Sequence, residues 1–116
     1  MARDGANLAK LTRLRALALP LARVGDADLA PLARLGELRS LELQSLGITD
    51  RGLDHLLRLA NLRDLNLHDA RITDTGLQRL STLRHLRSVT LERTRVTRDG
   101  ARRLERALPA CRVYLR

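Results

Sequence analysis

Two spacings of apolar residues alternate along this chain. Leu41 and Leu43 lie two apart, which puts both side chains on one face of an extended strand. Leu53, Leu56 and Leu59 lie three apart, which lines them along one side of a short helix. Both spacings recur. Leu38-Arg39-Ser40-Leu41-Glu42-Leu43 returns as Leu62-Arg63-Asp64-Leu65-Asn66-Leu67 and again as Leu86-Arg87-Ser88-Val89-Thr90-Leu91, each 24 residues after the last. The same step lands backwards on Leu14-Arg15-Ala16-Leu17-Ala18-Leu19 and forwards on Ala110-Cys111-Arg112-Val113-Tyr114-Leu115. Such register across five copies is the signature of a repeat architecture.

The second half of each unit repeats as well. Ile48-Thr49-Asp50-Arg51-Gly52-Leu53 is matched by Ile72-Thr73-Asp74-Thr75-Gly76-Leu77, then by Val96-Thr97-Arg98-Asp99-Gly100-Ala101. The first unit offers Val24, Asp26, Leu29, Leu32 and Leu35, and the chain opens with Asp4-Gly5, Leu8 and Leu11. Thr49 or Asp50, and Thr73 or Asp74, stand where a helix N-cap is wanted. The acids also suit the positive end of a helix dipole, so they read as structural caps. One strand and one helix in 24 residues cannot bury their apolar faces alone, but stacked units cover one another. The spacing predicts a parallel sheet on one side and helices on the other, with Leu41, Leu65 and Val89 stacked ~4.8 Å apart. The 116 residues then form a single domain: a half-repeat at 1–13, full repeats at 14–37, 38–61, 62–85 and 86–109, and a terminal strand at 110–116.

These units resemble the leucine-rich-repeat family, whose repeats read L-x-x-L-x-L followed by a turn and a helix. The I-T-D-x-G-L continuation is similar to repeats common in bacterial proteins and in substrate-recognition subunits of ubiquitin ligases. The resemblance runs from about Asp4 to Leu115. It implies a right-handed α/β solenoid with a parallel sheet on the concave face and short helices on the convex face. It also implies a surface for binding other proteins, and no enzyme activity. Three departures stand out. The asparagine usual after the strand is replaced by Ala22, Leu46, Ala70 and Thr94. Ala107 occupies a position where Leu83 predicts leucine, with Leu108-Pro109 following. The sequence stops inside a strand at Arg116 without a C-terminal cap, so the expectation is an exposed edge at 111–115. That edge admits a homodimer, or membership of a longer repeat protein. No F-box or other appended domain accompanies the repeats, which leaves the ligase-adaptor role without support.

Composition fits the repeat. With no Trp or Phe and a single Tyr, leucine fills nearly every core slot. Net charge is +9, and all basic residues except Lys10 are arginine, a skew that a GC-rich genome also produces. Residues 1–58 hold nine basic and seven acidic side chains, against thirteen and six in 59–116, so an anionic partner should engage the C-terminal half. Cys111 is the only cysteine, which rules out an intrachain disulfide and does not argue for export. Lys10 to Arg15 followed by Ala16 to Ala22 loosely resembles a signal peptide. Pro20 interrupts that run, and it fits the repeat register, so it reads as part of the fold of a cytoplasmic protein. No stretch approaches the ~20 apolar residues of a membrane span.

On the concave face, non-leucine positions should align as columns. Arg15, Arg39, Arg63 and Arg87 form one, ending in Cys111, and Arg23, Arg71 and Arg95 form a partial second in the turn. Arginines repeated at strand spacing repel one another unless Glu42, Asp64 and Glu92, or an outside anion, neutralise them. The expected contact set for an acidic protein segment is Arg39, Arg63 and Arg87, with Glu42, Asp64, Asn66, His68, Thr90, Glu92 and Tyr114 supplying selectivity. Polyanion binding through the arginine columns is the alternative. Specific nucleic-acid recognition would want stacking aromatics, and Tyr114 is the only one, so weak salt-sensitive binding is what +9 predicts. His55 falls on a helix and His85 in a loop, apart from His68, which could join Asp69 and Glu92 in a polar cluster. No nucleophile with a clear role, no metal-ligand spacing and no glycine-rich phosphate loop occurs, so neither catalysis, a metal nor a cofactor is implied.

Overall fold

The computed structural model describes residues 13–19 and 24–116. The expected half-repeat, with Leu8 and Leu11, and the turn positions Pro20, Ala22 and Arg23 lie outside the described residues. Alternation of leucine with polar residues yields five short strands: β1 (Ala16–Leu19), β2 (Ser40–Gln44), β3 (Asp64–His68), β4 (Ser88–Glu92) and β5 (Arg112–Leu115). They form one parallel sheet in chain order. Its register follows the repeat: Leu17 pairs Leu41, Leu41 pairs Leu65, Leu65 pairs Val89 and Val89 pairs Val113. The inward leucines of β2 to β4 are almost fully buried, as are the apolar residues of the helical halves. Each such burial contributes about 1.5–3 kcal/mol, so every ladder stabilises the repeats on both sides of it.

The return segments are helices α1 (Asp50–Leu56), α2 (Asp74–Arg79) and α3 (Arg98–Ala107), with a 3-10 turn at Leu80–Thr82 after α2. The first return is instead a 3-10 helix over Asp26–Arg34. Pro31 lies inside it, without an N–H and with a ring that crowds the preceding turn, which disfavours the α-helical ladder. Leu29, Leu32 and Leu35 still reach the core from this tighter helix. At the other end α3 runs longer than its predecessors. Ala107 is exposed and Leu108 takes the core position, so the irregular spacing there is absorbed without losing the ladder.

The threonines and aspartates at the starts of the return helices divide the work of capping and of joining repeats. Threonine is the N-cap: the Thr49 hydroxyl accepts from Arg51 N–H (3.3 Å) and that of Thr97 from Gly100 N–H (3.2 Å). Aspartate reaches across to the following repeat. Asp26 accepts from the backbone N–H of Thr49 at 2.7 Å, Asp50 from that of Thr73 at 2.9 Å, and Asp74 from that of Thr97 at 2.8 Å. In all three cases the second carboxylate oxygen accepts from the same threonine's hydroxyl. These bonds, the hydroxyl's first and the backbone N–H next, hold the Asp74 carboxyl below the ordinary carboxylate range. The glycine three residues after each threonine makes room for the acid. A Cβ at Gly76 would lie 2.9 Å from the Asp50 Cβ and closer still to its carboxylate, and one at Gly100 meets Asp74 the same way.

Loops that lack the usual asparagine satisfy their backbone by other means. The Ser45 hydroxyl donates to Val24 O and accepts from Gly47 N–H. In later turns Arg71 N–H donates to Ile48 O (2.8 Å) and Arg95 N–H to Ile72 O (3.0 Å), which ties each turn to the one before. On β5, Val113 N–H donates to the Glu105 carboxylate at 2.9 Å. That donor is therefore occupied, which leaves less of this edge for a second strand to pair with.

Gly76→Ala should destabilise the protein by about 2–3 kcal/mol, because the new methyl displaces Asp50 from Thr73. Gly36→Ala, where nothing lies within 4 Å of the added carbon, should stay within about 0.5 kcal/mol of the parent. Urea unfolding of both variants checks this; equal midpoints would mean that the inter-repeat contact does not stabilise the fold.

Candidate functional site

Strand geometry decides which residues the sheet displays. With Leu41 and Leu43 inward, Ser40, Glu42 and Gln44 of β2 face outward, and the same parity displays Asp64, Asn66 and His68 of β3 and Ser88, Thr90 and Glu92 of β4. Register then builds rows across the sheet. Glu42, Asn66, Thr90 and Tyr114 form one, and Gln44, His68 and Glu92 form the next. Asn66, Thr90 and His68 are half-buried in these rows, while Glu42 and Tyr114 are exposed.

Arg15, Arg39, Arg63 and Arg87 line the rim where the strands begin, one residue before β1 to β4, and all four are exposed. Their backbones belong to the ladder. Arg39 O accepts from Arg63 N–H (2.8 Å) and Asp64 N–H (3.0 Å), and Arg63 O accepts from Arg87 N–H (2.7 Å) and Ser88 N–H (3.1 Å). The column is therefore fixed at strand spacing. Cys111, in the same column, is buried. Among the described residues no ion pair involves any of these four arginines. Of the two alternatives, neutralisation by Glu42, Asp64 and Glu92 is not seen among the described residues, where those acids have other partners. Asp64 accepts from the Ser88 hydroxyl at 2.7 Å. Glu42 and Glu92 both turn to His68.

His68 is the centre of a polar hub where the strands end. Its Nδ1 lies 2.7 Å from Glu92 Oε1 and its Nε2 lies 3.2 Å from Glu42 Oε2, so one ring joins β2, β3 and β4. A neutral imidazole has one N–H to donate and satisfies one carboxylate; the imidazolium donates to both. Beside it, Asp69 accepts from Gln44 Nε2 (3.0 Å) and from the Arg93 guanidinium through Nε and Nη2. The Arg93 hydrogen bond first, then that of Gln44, lowers the Asp69 carboxyl to about 2. Asp69 (φ 63°) and Arg93 (φ 55°) both occupy the left-handed region, which is unfavourable for side chains with a Cβ. Their mutual ion pair helps to hold that backbone in place.

The sequence allows His68, Asp69 and Glu92 to join in a polar cluster, and the structure adds Gln44 and Arg93, which the same repeat step aligns with them. The signal was available, since Arg93 follows Asp69 by one repeat and Gln44 precedes His68 by one. Sequence reading misses Leu46, 63% exposed at the end of β2, whose equivalent Ala70 is buried. His55 lies in α1 and His85 in the turn before β4, away from the hub. Burial first, then the Glu105 charge, pushes the Cys111 thiol up to about 11, so little thiolate forms near neutrality. Among the described residues no cluster of three or more His, Cys, Asp or Glu could hold a metal ion, and no helix is long and apolar enough to cross a membrane. The arrangement offers ion pairing and hydrogen bonding over a shallow face: cations at one edge, and carboxylates around an imidazole at the other.

A parallel sheet of leucine-lined strands in 24-residue register, each followed by a short return helix, defines a leucine-rich-repeat solenoid. Comparison with solved structures agrees. The chain is similar to an internalin C2 of Listeria monocytogenes, at 27% identity over 94% of this chain and 45% of that one, with a TM-score of 0.76. It is also similar to a second internalin of that organism (21% identity, 92% and 36% covered, TM-score 0.57). A leucine-rich-repeat protein of Leptospira interrogans shares the fold (16% identity, 91% and 26% covered, TM-score 0.60). No family model and no curated protein matches the sequence. The chain is a leucine-rich-repeat protein, and it spans less than half the length of each of these solved proteins.

Two chemical consequences can be measured. Because the Asp69 pKa is depressed in the folded state, the stability it contributes is fully present above 3.8, its ordinary value, and is lost as pH falls toward about 2. Arg93→Ala should bring the Asp69 midpoint back up toward 3.8 in an NMR carboxyl titration; a parent midpoint already at the ordinary value would remove the ion pair from the solution structure. Cys111 should resist a thiol reagent at pH 8 in the native protein and react rapidly in urea. Fast native labelling would contradict its burial.

Proposed function

We propose that this chain is a protein-recognition module that binds an acidic segment of a partner protein across the exposed strand face. Arg39, Arg63 and Arg87 supply the attraction, and Glu42, Asp64, Asn66, His68, Thr90, Glu92 and Tyr114 supply selectivity. The observation that carries this reading is the arginine column itself, exposed, held at strand spacing and without an ion pair among the described residues. Two like charges ~4–5 Å apart repel by about 1 kcal/mol in water and by more where water is excluded. An anionic partner relieves that repulsion and adds charge-assisted hydrogen bonds. The similarity to internalin repeat structures supports an interaction module in general terms. We read the protein as a cytoplasmic binding protein, not an enzyme. Its single cysteine suits a reducing compartment, and the polar hub offers hydrogen-bonding groups with no nucleophile beside them.

Affinity enrichment from a nuclease-treated bacterial lysate tests the reading, comparing the parent chain with the Arg39→Glu, Arg63→Glu, Arg87→Glu triple variant. A stoichiometric protein retained at ~0.3 M salt by the parent and lost by the variant is the expected outcome. Recovery of the same proteins by both chains would make the column a solvated product of repeat duplication. Ligands lost on nuclease treatment and at that salt would move the assignment to a polyanion binder.

A further inference from the structure

The arginine rim and the His68 hub sit at opposite ends of the same strands, so the face has a direction. Five residues separate Arg63 from His68, about 16 Å at ~3.3 Å per residue. Three separate Arg39 from Glu42, about 10 Å. Anything lying across the strands therefore meets guanidinium groups, unpaired among the described residues, along one flank and, along the other, Glu42, Glu92 and Asp69, whose three carboxylates are offset by the single guanidinium of Arg93. A uniform polyanion matches the first flank and is repelled by the second. The matching partner carries acids on one side and donors on the other.

Spacing along the column narrows the partner's backbone. Arg39, Arg63 and Arg87 stand one strand apart, so the three cover about 10 Å at ~4.8 Å per strand. A partner strand lying along that direction presents same-side residues every ~6.6 Å and drifts by about 4 Å over three contacts. An α-helix presents one side once per ~5.4 Å turn, and positions i and i+7 lie about 10.5 Å apart, a mismatch of about 1 Å that arginine side chains absorb. Its diameter of about 10–12 Å also suits the distance between rim and hub. Over β2 to β4 the rows between them are Ser40, Asp64 and Ser88, then Glu42, Asn66 and Thr90, with no aromatic side chain among them; the exposed Tyr114 stands beyond, on β5.

We propose that the segment recognised is an α-helix lying along the solenoid axis. It carries an acidic stripe at i, i+3 or i+4, and i+7 over Arg39, Arg63 and Arg87, and basic or amide side chains over Glu42, His68 and Glu92. This inference rests on the reading of the strand face as a recognition surface.

Three synthetic peptides of equal length and net charge test it against the full chain at ~0.15 M salt, by fluorescence anisotropy. The first is an alanine-based helix with glutamates at i, i+4 and i+7 and lysines on the opposite flank. The second distributes the same residues around the helix. The third keeps the first peptide's charge order but carries central prolines, which prevent helix formation. The first should bind at least about tenfold more tightly than the other two, and Arg63→Glu should abolish most of that preference. If the proline peptide binds as well as the first, and Arg63→Glu weakens both, the helix is wrong while the recognition face stands. If all three bind alike and Arg63→Glu changes none of them, or if none binds, the helix proposal fails; indifference to Arg63 also counts against the recognition face itself.

Discussion

A carboxylate shared between repeats organises this protein. Asp26, Asp50 and Asp74 each leave their own turn and accept both the backbone N–H and the hydroxyl of a threonine that starts the next helix. Threonine, aspartate and glycine therefore recur together for one reason. The threonine supplies two donors from the N-cap position of its helix, the aspartate joins it to the previous repeat, and the glycine leaves the space in which the carboxylate sits. Leucine burial contributes most of the stabilisation, but it is non-directional and tolerates sliding. The aspartate contact is directional. It favours one offset between neighbouring repeats and agrees with the strand register, which β4 and β5 keep without such a contact.

That offset is what turns scattered side chains into a surface. Because each repeat repeats the same step, residues 24 positions apart become neighbours at strand spacing. Four arginines align on one rim, and a histidine comes to stand between two glutamates on the other. The left-handed backbone at Asp69 and Arg93 belongs to the same pattern. Two equivalent turn residues take an unfavourable conformation, and their side chains bond each other across the repeat interface. The resulting face carries guanidiniums, unpaired among the described residues, at one edge and a mixed, acid-rich cluster at the other, which suits a partner of defined orientation better than a uniformly charged polymer.

Much of this was legible before any coordinates. The two alternating apolar periods identify strand and helix, and the 24-residue step identifies the stacking and the columns that contain Arg39, Arg63, Arg87 and His68. The first helix was less legible. Leu29, Leu32 and Leu35 carry a helical spacing, and Pro31 among them converts the turn to a 3-10 helix. In the sequence the aspartates read as caps of their own helices, because a chain written in one line hides the neighbour that lies one repeat away.

What the sequence by itself determined is periodic: which residues are apolar, at what interval they return, and hence that the units stack with identical positions adjacent. Burial of leucine demands that arrangement, and no partner or site need be known to read it. Only the tertiary structure decided how polar side chains pair, because pairing depends on distance and direction within a few tenths of an ångström. Glu42 and Glu92 lie on strands beside both arginine and histidine, and periodicity treats those choices alike. The folded sheet places His68 between the two acids at hydrogen-bonding distance and leaves the arginine rim facing solvent.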